Sequence, residues 1–305
     1  MISNRPFAAL CAVTSLVVVC LSGCGPTSPG SPPTSGGGSA QPSTMPASPA
    51  DTKAGAAMVA VAVYYLGEER LWREADGQPI DQIKLYREFH RVPAGDGGPQ
   101  ARTAAAVAAM LDQASAYDPD YRSGWPSGAH VRQVGVDSDA VMVDLSGAAT
   151  NSVGAEVAHQ AVQQLVWTAT AASGKPGVRL LLDGEPVSEL WGHAAVGGVL
   201  RRAPAVDVLA HVWLIDPQHS ATVARTFTIH VSGSVFESTI QVRVRQGDRT
   251  VSERYVTVGT SPAGKFGEAK TTVTLSPGSY IVEVYAESAV DGREMFLDNH
   301  TITVG

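Results

Sequence analysis

The sequence predicts an α+β domain followed by an all-β sandwich, and three observations carry that prediction. Residues 99–182 pass through helical and strand periods in the order helix, strand, strand, helix, strand. From Val206 onward the helical period vanishes and only two-residue alternation remains. Ahead of both lies a charge-free tract, residues 25–50, made almost wholly of Gly, Pro, Ser, Thr and Ala, which cannot bury enough apolar surface to offset its ordering entropy.

Met58 to Leu66 (MVAVAVYYL) is apolar, β-branched and aromatic, as a buried strand requires. Gln82 to Arg91 (QIKLYREFHR) alternates Ile83, Leu85 and Phe89 with polar neighbours, which predicts a half-exposed strand. Pro99 opens a helix running to Gln113, with Ala104, Val107, Ala108 and Leu111 on one stripe, since proline suits the first helical position. Val131, Val134 and Val136 lead through Asp137, Ser138 and Asp139 to Val141, Val143 and Leu145, a β-hairpin. A second helix from Val153 to Ala172 places Ala158, Ala161, Val162, Leu165 and Ala169 on one face, and Gly174 and Pro176 stop it. Val178, Leu180 and Leu182 form a last strand, closed by a turn at Asp183 and Gly184. This order predicts two helices on one face of a small mixed sheet.

Beyond Pro204 the alternating strands centre on Val208–Ile215, Phe227–Val231, Ile240–Val244, Thr250–Val258, Lys270–Leu275, Tyr280–Ala286 and Met295–Val304. Seven such strands in about 100 residues predict a sandwich of immunoglobulin type. It has no cysteine pair, so packing alone must hold it.

Composition narrows the function. The 305 residues carry 22 Lys and Arg against 29 Asp and Glu, a net charge of −7, with no basic block. Nucleic-acid binding is excluded as the main task, because neutralising phosphates needs clustered cations. All three cysteines, Cys11, Cys20 and Cys24, precede residue 25, so the expected domains hold neither a disulfide nor a cysteine metal site.

Arg5 precedes an uncharged stretch from Phe7 to Leu21, too short to span a bilayer but the right length for a signal-peptide core. Leu21, Ser22, Gly23 and Cys24 then resemble the bacterial lipobox. That resemblance implies diacylglycerol transfer to the Cys24 thiol, cleavage before it and acylation of the new amine. Several acyl chains hold a protein firmly on a membrane. The expected organisation is therefore a signal peptide over 1–23, a lipidated linker over 24–57, an α+β domain over 58–203 and a β-sandwich over 204–305. As a coil the linker would reach roughly 30 Å, and as extended polyproline roughly 100 Å.

The two domains resemble a known pair. Val143–Ser146 (VDLS), Gln164–Thr170 (QLVWTAT) and Leu182–Val187 (LDGEPV), in that order, are similar to the GerMN domain of sporulation and germination proteins, over residues 58 to 192. Ser232–Glu237 (SGSVFE) and Ala286–Gly292 (AESAVDG) resemble the immunoglobulin-like domain that accompanies it. The resemblance implies an extracytoplasmic, membrane-anchored protein without catalytic activity. Its first domain would share the helix-strand-strand-helix-strand topology of ring-building modules, which self-associate or dock on partners.

The residues themselves offer little chemistry. No G-x-S-x-G, H-E-x-x-H, C-x-x-C, P-loop or G-x-G-x-x-G string occurs, so no cofactor and no metal site is expected. The eight histidines, His159 and His230 among them, are scattered singly. The loop YDPDYRSGWPSG places Asp118 and Asp120 beside Tyr121 and Trp125, a pattern open to three readings: a sugar- or peptide-binding edge, a weak Ca²⁺ site, or a solvated turn with Trp125 packed back on the sheet. Asp137, Asp139 and Asp144 suit turns. Trp167 belongs to the core, Trp191 either packs between domains or meets a partner, and Arg201 and Arg202 mark a boundary. The expected function is a non-enzymatic scaffold or binding lipoprotein with a protein or wall partner. The alternatives are a peptidoglycan enzyme using Asp118 and Asp120, and the accessory lipoprotein of a sensor.

Overall fold

In a computed structural model of the chain, the described residues are 57–73, 75–259 and 265–305. The signal segment, Cys24 and all of the linker but Ala57 lie outside them. The first domain opens with a long antiparallel hairpin, β1 (Met58–Trp72) and β2 (Pro79–Pro93), paired from Met58 with Pro93 to Trp72 with Pro79. Both strands outrun their apolar stretches. Residues 67–72 and 79–81 extend the pairing beyond them.

The hairpin departs from its expected phase at one point. Phe89 faces outward, 39% exposed under the Arg87 guanidinium, whereas Glu88 and His90 are buried. The reason is polar satisfaction: Glu88 accepts a bond from His90 Nε2 at 2.7 Å and bonds from the Tyr117 and Asp118 backbone N–H groups.

Next come α1 (Pro99–Leu111), β3 (His130–Val136), β4 (Val141–Ser146), α2 (Ala155–Ser173) and β5 (Val178–Leu182), in the predicted order. The four-stranded sheet runs β3-β4-β5-β6, where β6 is Glu185–Pro186; β3 and β4 are antiparallel, and β4 and β5 parallel. The buried face of α1 is Thr103, Ala106, Val107, Met110 and Leu111, so the expected stripe is slightly rotated and Ala108 is exposed. Thr103 can be buried because its hydroxyl donates to Pro99 O at 2.7 Å. Gly174 caps α2 at φ 72°, a left-handed conformation that costs glycine nothing.

Helix α2 is buried at every position from Gln164 to Thr170, because the β1–β2 hairpin covers the side opposite the sheet. Gln164 Nε2 donates to Tyr64 O at 2.9 Å, and Thr168 Oγ1 accepts from Tyr64 N at 3.1 Å. Two helix side chains thus satisfy backbone groups on the open edge of β1. A small hairpin, β7 (Glu189–Leu190) and β8 (Ala194–Ala195), and a single turn, α3 (Ala205–Val208), lead to the second domain.

That domain is a sandwich of two sheets. One holds β9 (Val212–Asp216), β11 (Thr226–Gly233) and β14 (Gly267–Thr274), in the order β14-β11-β9. The other holds β10 (Thr222–Val223), β12 (Thr239–Gln246), β13 (Arg249–Thr257), β15 (Gly278–Glu287) and β16 (Glu294–Val304), in the order β10-β16-β15-β12-β13. Ile229, Val231, Ile240, Val242, Val244, Val282, Val284 and Ile302 fill the space between.

Strand β9 belongs to both domains. Val212 and Leu214 point into the sandwich, while Trp213 and Ile215 join the core of the first domain. An alternating polar face is absent because neither side meets water, and residues 53–305 form one compact unit.

Candidate functional site

Local sequence places polar groups along the seam where the hairpin meets the sandwich. Glu69 on β1, fully buried, accepts bonds from the backbone N–H of His211 at 2.5 Å and from its Nδ1 at 2.8 Å. Arg87 on β2 bridges to Glu268 on β14 at 2.5 Å. Trp72 Nε1 donates to Glu294 O, and Arg293 donates to Gly77 O while lying over the Trp72 ring, 5.0 Å from its centroid. Such bonds hold the domains in one relative placement.

At the centre of the seam, Asp118 from the first domain meets Asp298 and His300 from β16. Tyr121 Oη donates to Asp298 Oδ1 at 2.9 Å and Leu214 N donates to Oδ2 at 2.7 Å. Asp118 Oδ1 accepts from Asp120 N at 2.8 Å; Oδ2 faces His300 Nε2 at 3.4 Å and His219 Nδ1 at 3.6 Å. Burial pushes the Asp118 carboxyl up to about 6, with nearby Asp298 adding to the rise and the Asp120 N–H opposing it. Burial pushes Asp298 up to about 7 against hydrogen bonds from Leu214, Tyr121 and Asn299. Burial lowers the His300 imidazole below its ordinary value, against the opposing Pro217 hydrogen bond and Asp118 charge. The imidazole donates from Nδ1 to Pro217 O at 2.7 Å, since a carbonyl can only accept, so in the neutral ring the lone pair sits on Nε2.

The residues singled out in the sequence are placed unevenly. Asp118, Tyr121 and Trp125 are buried while Tyr117 of the same loop is exposed, and Trp125 packs inward with Nε1 donating to Ala161 O at 3.0 Å. Asp120 is exposed and lends its backbone N–H to buried Asp118. Trp191 packs edge-on against Trp125, 5.3 Å between centroids, within the first domain rather than between the two. Trp167 is core, under the Arg202 guanidinium, and Asp144 accepts from Gly184 N in the turn. His159 is exposed; His230 is half-buried between Asp216 and Glu268. The reading of singly scattered histidines fails at His219 and His300, which gather on Asp118. Asp298 and His300 escaped notice because more than 170 residues separate them from Asp118, a distance no local pattern bridges.

One accessible feature of the seam is an apolar groove of 720 Å³. Leu71, Trp72 and Ile80 of the hairpin line one side, and Phe236, Ala289, Val290, Met295 and Phe296 of the sandwich the other. Phe236 and Val290 are 70% and 81% exposed. A smaller hollow of 370 Å³, sharing Trp72 and Phe296, continues it past Leu297. The backbone is strained here: Phe296, Glu237 and Ser238 have φ of 59°, 57° and 55°, costing roughly 1 kcal/mol or more each. Phe296 sits beside a bulge in the β15–β16 ladder and stacks on His211, 4.5 Å between centroids. The arginines around the groove are already paired, Arg70 with Asp81, Arg73 with Asp76, Arg293 with Asp291 and Arg243 with Glu294.

No helix among the described residues is long and apolar enough to cross a membrane. The Germane family model, for sporulation and spore germination, matches residues 62–188, and the Gmad2 model, for the immunoglobulin-like domain of bacterial spore germination, matches residues 211–293. Among solved structures, the chain is similar to the first GerMN domain of the sporulation protein GerM from Bacillus subtilis, at 18% identity and a TM-score of 0.34, over 47% of this chain and 98% of that one. It is similar to the tandem GerMN domains of the same protein at 15% identity and a TM-score of 0.31, over 72% and 62%. A candidate lipoprotein from Clostridium perfringens shares 13% identity at a TM-score of 0.33, over 50% and 93%. No curated protein matches the chain. The two matched segments, in this order, make the chain a protein with a GerMN-like Germane domain followed by the immunoglobulin-like Gmad2 domain of bacterial spore germination proteins.

Proposed function

We propose that the protein is a non-enzymatic, lipid-anchored accessory of the cell envelope that docks another protein in the groove between its two domains. The observation that carries this is the groove itself: it exists only while both domains are seated, and its lining is apolar and exposed. Exposed apolar patches rimmed by polar residues mark interaction sites. The rim favours a protein over an anionic wall polymer or lipid headgroup, because its arginines are already neutralised by neighbouring carboxylates. Both matched domains belong to germination families rather than enzyme families. Cys24 would supply the anchor and the linker its reach, on the extracytoplasmic face.

The test is affinity capture of the membrane-extracted protein from crosslinked envelopes, alongside Phe236→Asp and Val290→Asp. A specific protein recovered with the natural chain and lost with both variants supports the assignment. Recovery unchanged by the variants, or of lipid and wall polymer alone, contradicts it. Release of soluble fragments from purified wall, abolished in Asp120→Ala, would favour the rival peptidoglycan enzyme.

A further inference from the structure

We propose that Asp118, Asp298 and His300 form a buried divalent-cation site, of zinc type, that staples the two domains together. One ligand atom from each of the three lies within 4.8 Å of the others, and all three residues are buried. An acid cluster alone would not make a site. What points to a ligand is His300: its side chain is only 2% exposed, and Nε2 has no hydrogen-bond partner among the described residues while aiming at Asp118 Oδ2 from 3.4 Å.

The arrangement around the three is that of supported metal ligands. A metal-binding histidine characteristically donates its other ring N–H to a carbonyl, which fixes the tautomer and the ring. His300 does so at Pro217 O. Ligating carboxylates are themselves hydrogen-bonded, and here Tyr121 and Leu214 hold Asp298 while Asp120 N holds Asp118. Each carboxylate keeps lone pairs beyond those it uses.

His219 lies at the edge of this group of three and would supply the fourth donor. Its Nδ1 also lacks a hydrogen-bond partner among the described residues and lies 3.6 Å from the same Asp118 oxygen. Its side chain is 18% exposed, which gives the ion an entry from solvent. Two imidazoles and two carboxylates suit a four-coordinate, borderline-soft cation; calcium takes six to eight oxygens, which this buried seam cannot offer. Asp118 comes from the first domain and the other three from the second, so the ion would bridge them.

The full chain, extracted in detergent and stripped with chelator, is titrated with Zn²⁺, with Mg²⁺ as the control. The expected result is one Zn²⁺ per chain, no response to Mg²⁺, a raised Tm, and a four-coordinate visible spectrum when Co²⁺ replaces Zn²⁺. Asp118→Asn should weaken binding about 100-fold, and Tyr121→Phe, which only releases Asp298, about 10-fold. His219→Ala, on the solvent side and outside both apolar cores, keeps the test valid if the buried variants fail to fold, and should weaken binding at least 10-fold. Absence of saturable Zn²⁺ binding overturns the proposal, as does binding that both Asp118→Asn and His219→Ala leave unchanged.

Discussion

At the scale of single residues, the seam is held by polar side chains that would be costly to leave unpaired. Asp298 satisfies both Leu214 N and Tyr121 Oη. Asp298→Ala orphans both donors, and a buried unpaired donor costs about 1–3 kcal/mol. Urea unfolding should show at least that loss, whereas Tyr121→Phe, which leaves no donor stranded, should lose about 1 kcal/mol or less. Glu268 gives a pH signature. Burial alone would raise its carboxyl, but the hydrogen bond and charge of Arg87, with His230 adding, hold it below its ordinary 4.5. A carboxyl lowered by folding stabilises the protein above its unfolded pKa, and that stability is lost as pH falls through the folded value. The bridge is 45% exposed on the Glu268 side, so it contributes less than about 1 kcal/mol. Glu268→Gln should therefore unfold at lower urea than the natural chain at pH 7, with the gap closing as the pH falls below the ordinary 4.5. Asp118 stood out in the sequence as an acid in an aromatic loop, but its fate did not. A carboxylate beside Pro119 and Tyr121 suggests a surface turn, and only the arrival of β16 buries it.

At the scale of elements, the strands and helices were legible because their periods are local. Both helices of the first domain and the seven main sandwich strands follow from apolar spacing, proline and glycine. What escaped was the layer opposite the sheet. Gln164 and Thr168 lie on a helix face that looks merely polar, yet they close the edge of β1 through Tyr64. The same limit holds for β9, whose VWLI run looks like any buried strand although its two faces serve two cores. Trp213→Ala removes a side chain from the first domain's core without touching the sandwich interior. Large-to-small changes of this kind cost about 3–5 kcal/mol. If β9 couples the domains, the loss appears in one cooperative transition, with near-UV dichroism and far-UV dichroism shifting together. Separate transitions, with only the first displaced, would show that the domains melt independently.

At the scale of the whole molecule, two domains that the sequence separates near residue 204 fold as one unit over 53–305. The paired arginines of the rim and the strained Phe296 and Ser238 backbone lie where the two domains together make a concave apolar surface. Neither half alone presents it, so function and domain seating should rise and fall together: Glu69→Ala, which strands the His211 N–H and loosens the seam, should weaken partner capture without altering any groove residue. The groove's dependence on both domains is tested most directly by placing a photocrosslinking residue at Ile80 on the hairpin and, in a second protein, at Val290 on the sandwich, then identifying what each captures in living envelopes. Capture of the same protein partner from both positions, lost when Phe236 is changed to Asp, is the expected result. Different partners at the two positions, or no protein at either, would contradict the docking role.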